Sequence, residues 1–389
     1  MPRRITRRRR TMKQAKVWAA ALALCLPLQH AWAQEIVVAN VGPLSGPLAN
    51  NGKGNYEGAK AYFDQINEQG GINGQKIRLV SEDDKYKTEE TIRLVQEVAK
   101  RDKPVAFVNL LGSATVSVML KEKTFDKLGI PFVGITPGSE SLRDPGSPWL
   151  FHVQAGDHAQ LHRVLTHLST VGLNKIAVVY QDLPFGKSGL KYIEQVAPPL
   201  KIEVLGRVAV PSAAEELKAA AQQLKASGAS VYLMILTPGS GGAMVRDIRA
   251  GGDSVPIYSL SYVSTTAIME KASVKDAAGV ALAQVTPNPE SSTTRLSRDF
   301  RAAMDRLSAP GEVQTRSSMQ IIGYVNARVA GEAIRRAGPN PTPEKVTSAL
   351  RGLKVDLGGY PVDFTMAKNN VGASFVDIGF IDKNGRLRY

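Results

Sequence analysis

The sequence has little cysteine and few aromatic residues, and both shortages narrow what the protein can be. Its 389 residues include one cysteine, five histidines and only 6% aromatic residues. The single Cys25 lies in an N-terminal apolar stretch that we expect to be removed, which excludes a disulfide framework, thiol catalysis and cysteine-ligated zinc. This length suggests about two domains of roughly 150 residues each. The 43% of apolar residues are enough to bury a core without a metal or disulfide.

The first 33 residues have the three parts of a secretory signal peptide. Eight basic residues and no acid precede an apolar stretch from Val17 to Leu28, and Ala31 and Ala33 are the small residues of a cleavage site. A stretch of this length is shorter than the roughly 20 residues that span a bilayer, which favours cleavage after Ala33 over a retained membrane helix. We therefore expect an exported protein, with either Met1 or Met12 as the start.

Removal of this leader would also lower the positive net charge of the chain. The whole chain has a net charge of +14, and the leader contributes eight of its basic residues. A basic run in a signal peptide says nothing about the mature protein, so nucleic-acid binding loses most of its support. We expect no nucleic-acid partner.

The remaining chain alternates short apolar runs with amphipathic helices, which predicts an α/β fold with parallel sheets. Apolar runs without strict alternation are typical of strands that are buried on both faces. They occur at 36–39, 105–108, 130–135, 176–179, 231–236 and 280–285, and helical patterns occur at 88–100, 158–170, 295–307, 317–337 and 342–353. Two short strands, near Val362 and at 376–381, close the chain. About ten strands are many for one twisted sheet, so we expect two doubly wound sheets in two domains.

Hydroxyl, glycine and aromatic residues follow five of these strands and a further short strand at 257–259. In open α/β sheets a ligand binds beyond the carboxyl ends of the strands, and a helix N-terminus there favours a carboxylate. Each loop taken alone is also explained by ordinary turn and N-cap residues. Six such ends in one exported chain favour a small-molecule cleft, and they lie at 42–46, 112–115, 136–139, 181–186, 237–240 and 260–262.

Signals for catalysis or metal binding are weak. GKS at 186–188 lacks the first glycine of a P-loop, and no G-x-S-x-G elbow is present. Four histidines lie between His152 and His167, but His162 and His167 point about 140° apart on a helix. Surface or capping histidines explain this cluster better than a metal site. We expect no catalytic residue, no metal and no cofactor.

Several strings together resemble the type I periplasmic binding proteins of ABC importers, in the leucine/isoleucine/valine-binding branch. GPLSG at 42–46 precedes a helix with EGA at 57–59, NEQGGING at 67–74 leads to a strand and an acidic pair at 83–84, and Phe185-Gly186 follows the strand that ends in VVY. The similarity covers nearly all of the chain after the leader, and N-x-x-G-G-I-x-G is its most specific string.

The resemblance implies two Rossmann-like lobes joined by three hinge crossings, with the ligand held between them. Carried onto this sequence, lobe one is 35–154 plus 285–358 and lobe two is 155–284 plus 359–389. In the family, the two lobe-one loops at 112–115 and 136–139 hold the ligand's carboxylate. An acidic residue at the first crossing, here Asp157, meets its ammonium. The ligand-binding residues implied are Ser113, Ala114, Thr115, Thr136, Gly138, Ser139, Asp157, Phe185, Thr237 and Tyr262.

Two departures from the family pattern bear on the ligand. Branched-chain amino-acid binders carry an acidic residue near Tyr262 to pair with the ammonium, and residues 260–263 contain none. The first loop often holds an aromatic residue, and here it has Asn50 and Asn51. Because a buried ammonium needs a partner, the ligand is an amino acid held by Asp157 or an aromatic or aliphatic organic acid.

The resemblance implies an extracytoplasmic receptor that delivers this ligand to permease subunits with cytoplasmic ATPases, and we expect it to be a monomer. A ligand-sensing module for a signalling receptor and an exported α/β enzyme remain as alternatives.

Overall fold

The computed structural model describes residues 1, 35–136, 139–211, 217–307, 316–366 and 369–389. The predicted leader and Gly138 lie outside these residues. From Glu35 to Tyr389 the chain forms one compact unit, built from two parallel sheets covered by helices. In the described part of the chain every helix falls short of the length and apolarity that a bilayer-spanning segment needs.

The first lobe begins with a five-stranded parallel sheet. Its elements are β1 Ile36–Gly42, α1 Ala49–Glu68, β2 Ile77–Asp83, α2 Thr88–Asp102, β3 Ala106–Val108, α3 Ser113–Lys121, α4 Thr124–Leu128, β4 Phe132–Val133 and β5 Leu150–Phe151. The strand order is β2-β1-β3-β4-β5, and all neighbours are parallel. Strands β1, β3, β4 and β5 are almost wholly buried because helices cover both faces, which is why their sequences show no alternation, whereas the edge strand β2 is only partly buried.

The second lobe follows without interruption. Its elements are α5 Asp157–Thr170, β6 Lys175–Gln181, α6 Pro184–Val196, β7 Glu203–Val210, α7 Lys218–Ala226, β8 Val231–Ile235, α8 Pro238–Ala250, β9 Ile257–Ser259, α9 Thr265–Met269, α10 Val274–Ala277 and β10 Ala281–Gln284. Two apolar clusters, one on each face of the sheet, form its core. The alternation of strand and helix confirms the predicted α/β class.

The last third of the chain returns to the first lobe and then crosses again. It contains α11 Arg295–Asp305, α12 Ser318–Ala337, α13 Pro343–Arg351, β11 Lys354–Asp356, β12 Pro361–Asp363, β13 Asp377–Ile381 and β14 Leu387–Arg388. The second sheet has the order β14-β13-β10-β9-β8-β6-β7, in which β13 is antiparallel to β10 and β14 is antiparallel to β13.

The third crossing comes later than the sequence predicted. The proposed boundary lay at 358–359, but Tyr360, Val362, Phe364 and Ala373 are buried in the core of the first lobe. The β11–β12 hairpin keeps this segment with the first lobe, because its apolar residues pack there. We therefore place the lobe boundaries at 152–156, 285–289 and 374–376 as a revised proposal.

The three crossings lie side by side, and one tyrosine ties two of them together. Ala155, Val285 and Val376, one from each crossing, belong to the same small apolar cluster. The Tyr360 hydroxyl donates to the carbonyl oxygens of Val153 at 2.7 Å and Val285 at 3.0 Å. A single buried side chain thus holds the first two crossings together.

Replacement of Tyr360 by phenylalanine is expected to lower the free energy of unfolding. The change leaves two buried carbonyl oxygens without this donor, which costs about 1–3 kcal/mol. Urea unfolding measures the loss, and an unchanged m-value is the control that the unfolding transition itself is the same. Wild-type stability in Tyr360→Phe would show that the hydroxyl does not tie the crossings.

Candidate functional site: a pocket between the lobes

A pocket lies between the two lobes, where residues after the strands of both sheets meet. It encloses about 770 Å³ when the part open to solvent is included. Most of the surface that lines it is apolar, and polar side chains from both lobes are set into that surface. The described lining residues are Leu48, Asn51, Asn55, Tyr86, Leu111, Gly112, Ser113, Thr136, Arg143, Gln154, Ala155, Asp157, Gln160, Phe185, Thr237, Pro238, Ser261, Tyr262, Val285, Met319 and Ile322.

The first-lobe wall presents hydrogen-bond donors at the start of α3. Gly112 precedes this helix with φ +101°, and its Cα lies so close to the Tyr86 ring that a side chain would not fit. The Ser113 hydroxyl oxygen accepts from the Ser139 amide at 2.9 Å, which leaves its proton to donate elsewhere. Thr136 Oγ1 is buried and has no protein partner. These groups and the helix N-terminus suit a carboxylate.

One buried acid and one buried base lie at the hinge side of the pocket. Asp157 is 4% exposed and Arg143 is 1% exposed. Burial raises the pKa of Asp157 well above its usual range. The Arg143 guanidinium lowers this pKa, and the Glu140 carboxylate raises it. Arg143 also donates to the Gln154 carbonyl oxygen at 3.0 Å. Asp157 is therefore a carboxyl group whose ionisation is opposed chiefly by its burial.

The second-lobe wall is aromatic. Phe185 and Tyr262 meet edge to face, with ring centroids 5.7 Å apart and planes at 88°. The Tyr262 hydroxyl lies 3.5 Å from Asp157 Oδ2, to which it donates. Thr237 is held by Gln181, whose side-chain oxygen accepts from both its amide and its hydroxyl at 3.0 Å. This wall can cover the apolar part of a ligand.

Hydrogen bonds join the lobes at the mouth of the pocket. Asn50 donates to Glu270 Oε1 at 2.7 Å, and Asn51 donates to the Tyr262 carbonyl oxygen at 3.2 Å. Both asparagines are on α1 in the first lobe, and both acceptors belong to the second. The two lobes are therefore in contact at the mouth of the pocket.

The structure brings together six of the ten predicted site residues: Ser113, Thr136, Asp157, Phe185, Thr237 and Tyr262 line the pocket. Ala114, Thr115 and Ser139 do not. Ala114 is exposed on the outer side of α3, and the Thr115 hydroxyl faces Thr88 Oγ1 at 3.1 Å. Ser139 instead positions Ser113 through its amide, and its hydroxyl lies 3.1 Å from Ser141. Consecutive residues of a helix point in different directions, so one loop cannot place all its hydroxyls in one pocket.

Several polar lining residues are not among those predicted to bind the ligand. They are Asn51, Asn55, Tyr86, Arg143, Gln154 and Gln160. Asn51 and Asn55 are four residues apart on α1, so both lie on one face of that helix. Gln154 lies in the first crossing, and Arg143 follows the short 3₁₀ turn Glu140–Leu142. The i, i+4 asparagine pair was the one signal available in the sequence.

The histidines do not converge. His158 stacks on Tyr192 with centroids 4.0 Å apart, and His167 Nε2 lies 3.2 Å from the Tyr258 hydroxyl. His152 is fully buried in the first crossing, contrary to the predicted surface or cap position, and burial lowers its pKa well below the usual range. Among the described residues no group of three or more metal-binding side chains is found.

Comparisons with known proteins agree with this architecture. A family model described as periplasmic binding protein matches residues 35–385. The crystal structure of an extracellular ligand-binding receptor from Verminephrobacter eiseniae is 35% identical, covers 92% of this chain and 100% of its own, and superposes with a TM-score of 0.85. An amino acid binding protein of Pseudomonas aeruginosa is 25% identical over 87% of this chain and 86% of its own. A Leu/Ile/Val-binding protein homologue of Brucella abortus is 23% identical over 89% of this chain and 87% of its own.

Proposed function

Since this chain belongs to the family of periplasmic binding proteins, in its Leu/Ile/Val-binding branch, we propose that it is the extracytoplasmic solute receptor of an ABC importer. It binds a small carboxylate-bearing ligand in the pocket between the lobes. It then delivers the ligand to permease subunits in the inner membrane, which work with cytoplasmic ATPases. The protein itself makes and breaks no covalent bond. Its location is the periplasm, reached through the leader that ends at Ala33.

The observation that carries this proposal is the polar end of the pocket at the start of α3. Ser113 has a free hydroxyl proton, Thr136 Oγ1 has no protein partner, and both face a space lined by the aromatic wall. A carboxylate placed there accepts hydrogen bonds and lies at the positive end of a helix. The apolar lining then covers the rest of the ligand.

Closure of the lobes is the proposed mechanism. The three crossings lie together at one edge of the pocket, so a rotation about them opens the mouth where Asn50 meets Glu270. A ligand that contacts both walls favours the closed arrangement by its differential affinity for the two states. The permease then recognises the closed form.

The class of ligand depends on Asp157. It is the buried carboxyl group of the lining, and the segment before Tyr262 supplies no acid. An α-amino acid would pair its ammonium with Asp157 and ionise it. An organic acid without an ammonium would leave Asp157 protonated, as burial favours. We propose that the ligand is one of these two kinds of small carboxylate.

A thermal-shift screen tests the proposed function. The mature chain is refolded to remove bound ligand and mixed with amino acids and with aromatic and aliphatic carboxylic acids. A ligand at about 100 times its Kd stabilises the folded state by about 2.7 kcal/mol, which raises Tm by a few degrees. A panel in which sugars or nucleosides shift Tm and no carboxylate does would contradict the proposal.

Ser113→Ala is expected to weaken binding of the carboxylate that gives the largest shift. The variant loses a hydrogen bond to a charged group, worth about 1.5–3 kcal/mol, so Kd rises about 10- to 100-fold. Calorimetric titration measures it. Thr115→Ala is the matched control, because its hydroxyl faces Thr88, and its Kd should be that of the wild type. Equal effects of the two substitutions would move the carboxylate away from Ser113.

A further inference from the structure

Three side-chain amides of the pocket have carbonyl oxygens that accept no hydrogen bond from the protein. They are Asn51 Oδ1, Asn55 Oδ1 and Gln154 Oε1. The three residues are 3%, 2% and 1% exposed, and all line the pocket. Buried carbonyl oxygens are ordinarily paired, so three in one lining call for an explanation.

The orientation of the Gln154 amide is fixed by a chain of buried hydrogen bonds. Its Nε2 donates to Asn326 Oδ1 at 2.5 Å, and Asn326 Nδ2 donates to Asn109 Oδ1 at 2.8 Å. Asn326 Nδ2 also donates to the Gly134 carbonyl oxygen at 3.3 Å. Because a backbone carbonyl only accepts, Asn326 must present its oxygen to Gln154. Gln154 therefore has to donate there, and its own oxygen is left over.

The other two oxygens are on one face of α1. Asn51 uses its Nδ2 to reach the Tyr262 carbonyl oxygen across the pocket mouth at 3.2 Å, so its oxygen cannot exchange places with its nitrogen. Asn55 is one helical turn further on, and Asn109 donates to its backbone carbonyl oxygen at 3.2 Å. The acceptor groups thus come from α1 and from the first crossing.

We propose that these three amide oxygens form a subsite that reads hydrogen-bond donors on the ligand. The inference rests on the proposed function and narrows its ligand class. The carboxylate that binds carries a hydroxyl, amide or amino group in addition to the carboxylate held at Ser113, and a purely aliphatic carboxylate binds less well. A site built from buried acceptors rejects an analogue that lacks the donor, because the oxygens then stay unpaired.

Matched ligand pairs test the subsite. Each pair has similar shape and differs in one donor: threonine and valine, asparagine and leucine, 3-hydroxybutanoate and 3-methylbutanoate, 4-hydroxybenzoate and 4-methylbenzoate. In the pairs of amino acids both members carry the α-ammonium, so its contribution to binding cancels when their Kd values are compared. For the pair that the protein binds, we expect the donor-bearing member to bind at least about 10-fold more tightly by calorimetric titration.

Variants of Asn55 locate the preference. Asn55→Leu removes the oxygen and keeps the branching and the number of side-chain heavy atoms, and we expect the preference for the donor-bearing member to fall about 10-fold. Asn55→Asp keeps an acceptor and should retain the preference. Asn340→Leu makes the same chemical change at an exposed residue that does not line the pocket, and this variant should bind both members of the pair with the wild-type Kd.

The outcomes separate the subsite from the receptor function. If both members of the bound pair have the same Kd, or if Asn55→Leu weakens both equally, the subsite is wrong and the receptor function stands. If no carboxylate of the panel binds, the receptor function is wrong and the subsite falls with it. Thermal unfolding of each variant without ligand verifies that it folds.

Discussion

Gly58→Ala is expected to lower the free energy of unfolding by about 3 kcal/mol or more, because it forces apart two helices that touch through their backbones. A Cβ at residue 58 would lie 1.8 Å from the Gln320 carbonyl oxygen and 2.7 Å from the Tyr324 amide nitrogen. Both contacts are to the backbone of α12, which no rotamer change can move. Thermal unfolding should show a fall in Tm of about 4 °C or more.

The same helix pair makes the effect more than a local one. Gly54 and Gly323 also lie where these two helices touch. A Cβ at residue 323 would lie 1.9 Å from the Asn55 carbonyl oxygen. A separation of α1 from α12 therefore shifts Asn55, which lines the pocket, and ligand binding should weaken as well.

Gly239→Ala provides the control for this substitution. Gly239 is in the first turn of α8, and a Cβ built there meets no atom within 4 Å. Alanine in a helix is about 0.5–1 kcal/mol more favourable than glycine, so this variant should be as stable as the wild type or slightly more so. A Gly58→Ala variant as stable as Gly239→Ala would contradict the close packing of the two helices.

Asp157→Asn is expected to separate the two classes of ligand. For an amino acid it removes the charged partner of a buried ammonium, which costs about 2–5 kcal/mol or at least about 30-fold in Kd. For a carboxylate without an ammonium, the protonated Asp157 and asparagine are both neutral, so Kd should stay within about threefold. Calorimetric titration with one ligand of each class measures both effects.

The pH dependence of binding gives a second measure of the same group. Burial holds the pKa of Asp157 above its usual range, and Arg143, Glu140 and Tyr262 are the charged and titratable groups that act on it. An ammonium ligand needs the ionised form, so its affinity should fall as the pH is lowered through the titration of Asp157. In Asp157→Asn this dependence should disappear.

Asp182→Asn is the matched control. Asp182 follows β6 of the second sheet, and it is exposed and pairs with Lys187 at 2.7 Å. Asp182→Asn should leave the Kd of both ligand classes at the wild-type value. If Asp157→Asn affects amino acids and organic acids alike, Asp157 acts through the structure of the pocket and does not read the ammonium.

The fold could largely be predicted from the sequence because its strands are apolar runs between helices. The runs at 36–39, 176–179 and 231–236 correspond to β1, β6 and β8, and the helix predicted at 88–100 is α2. Strand β7 was not predicted, since Glu203, Arg207 and other exposed residues break its apolar pattern at the edge of the sheet. The third crossing was placed too early, because only packing shows that Tyr360 belongs to the first lobe.

The candidate site was predicted less completely, for a geometric reason. Residues in the loops after strands, such as Ser113 and Thr237, were correctly expected to lie together, because all strand ends meet at one edge of a parallel sheet. Asn55, Arg143 and Gln154 come from a helix face, a turn and a crossing, and no local sequence pattern brings these together. The direction of a side chain within a loop, as for Thr115, likewise depends on its neighbours in space.

The crystal structure of the ligand complex tests the central claim most directly. The refolded chain would be crystallised with the carboxylate that gives the largest thermal shift. We predict electron density for the ligand between the two lobes, with its carboxylate on Ser113 and the start of α3 and its donor group on Asn55 and Gln154. Density only at the surface of one lobe, with the space between Ser113 and Tyr262 filled by solvent, would contradict the assignment of this pocket as the binding site.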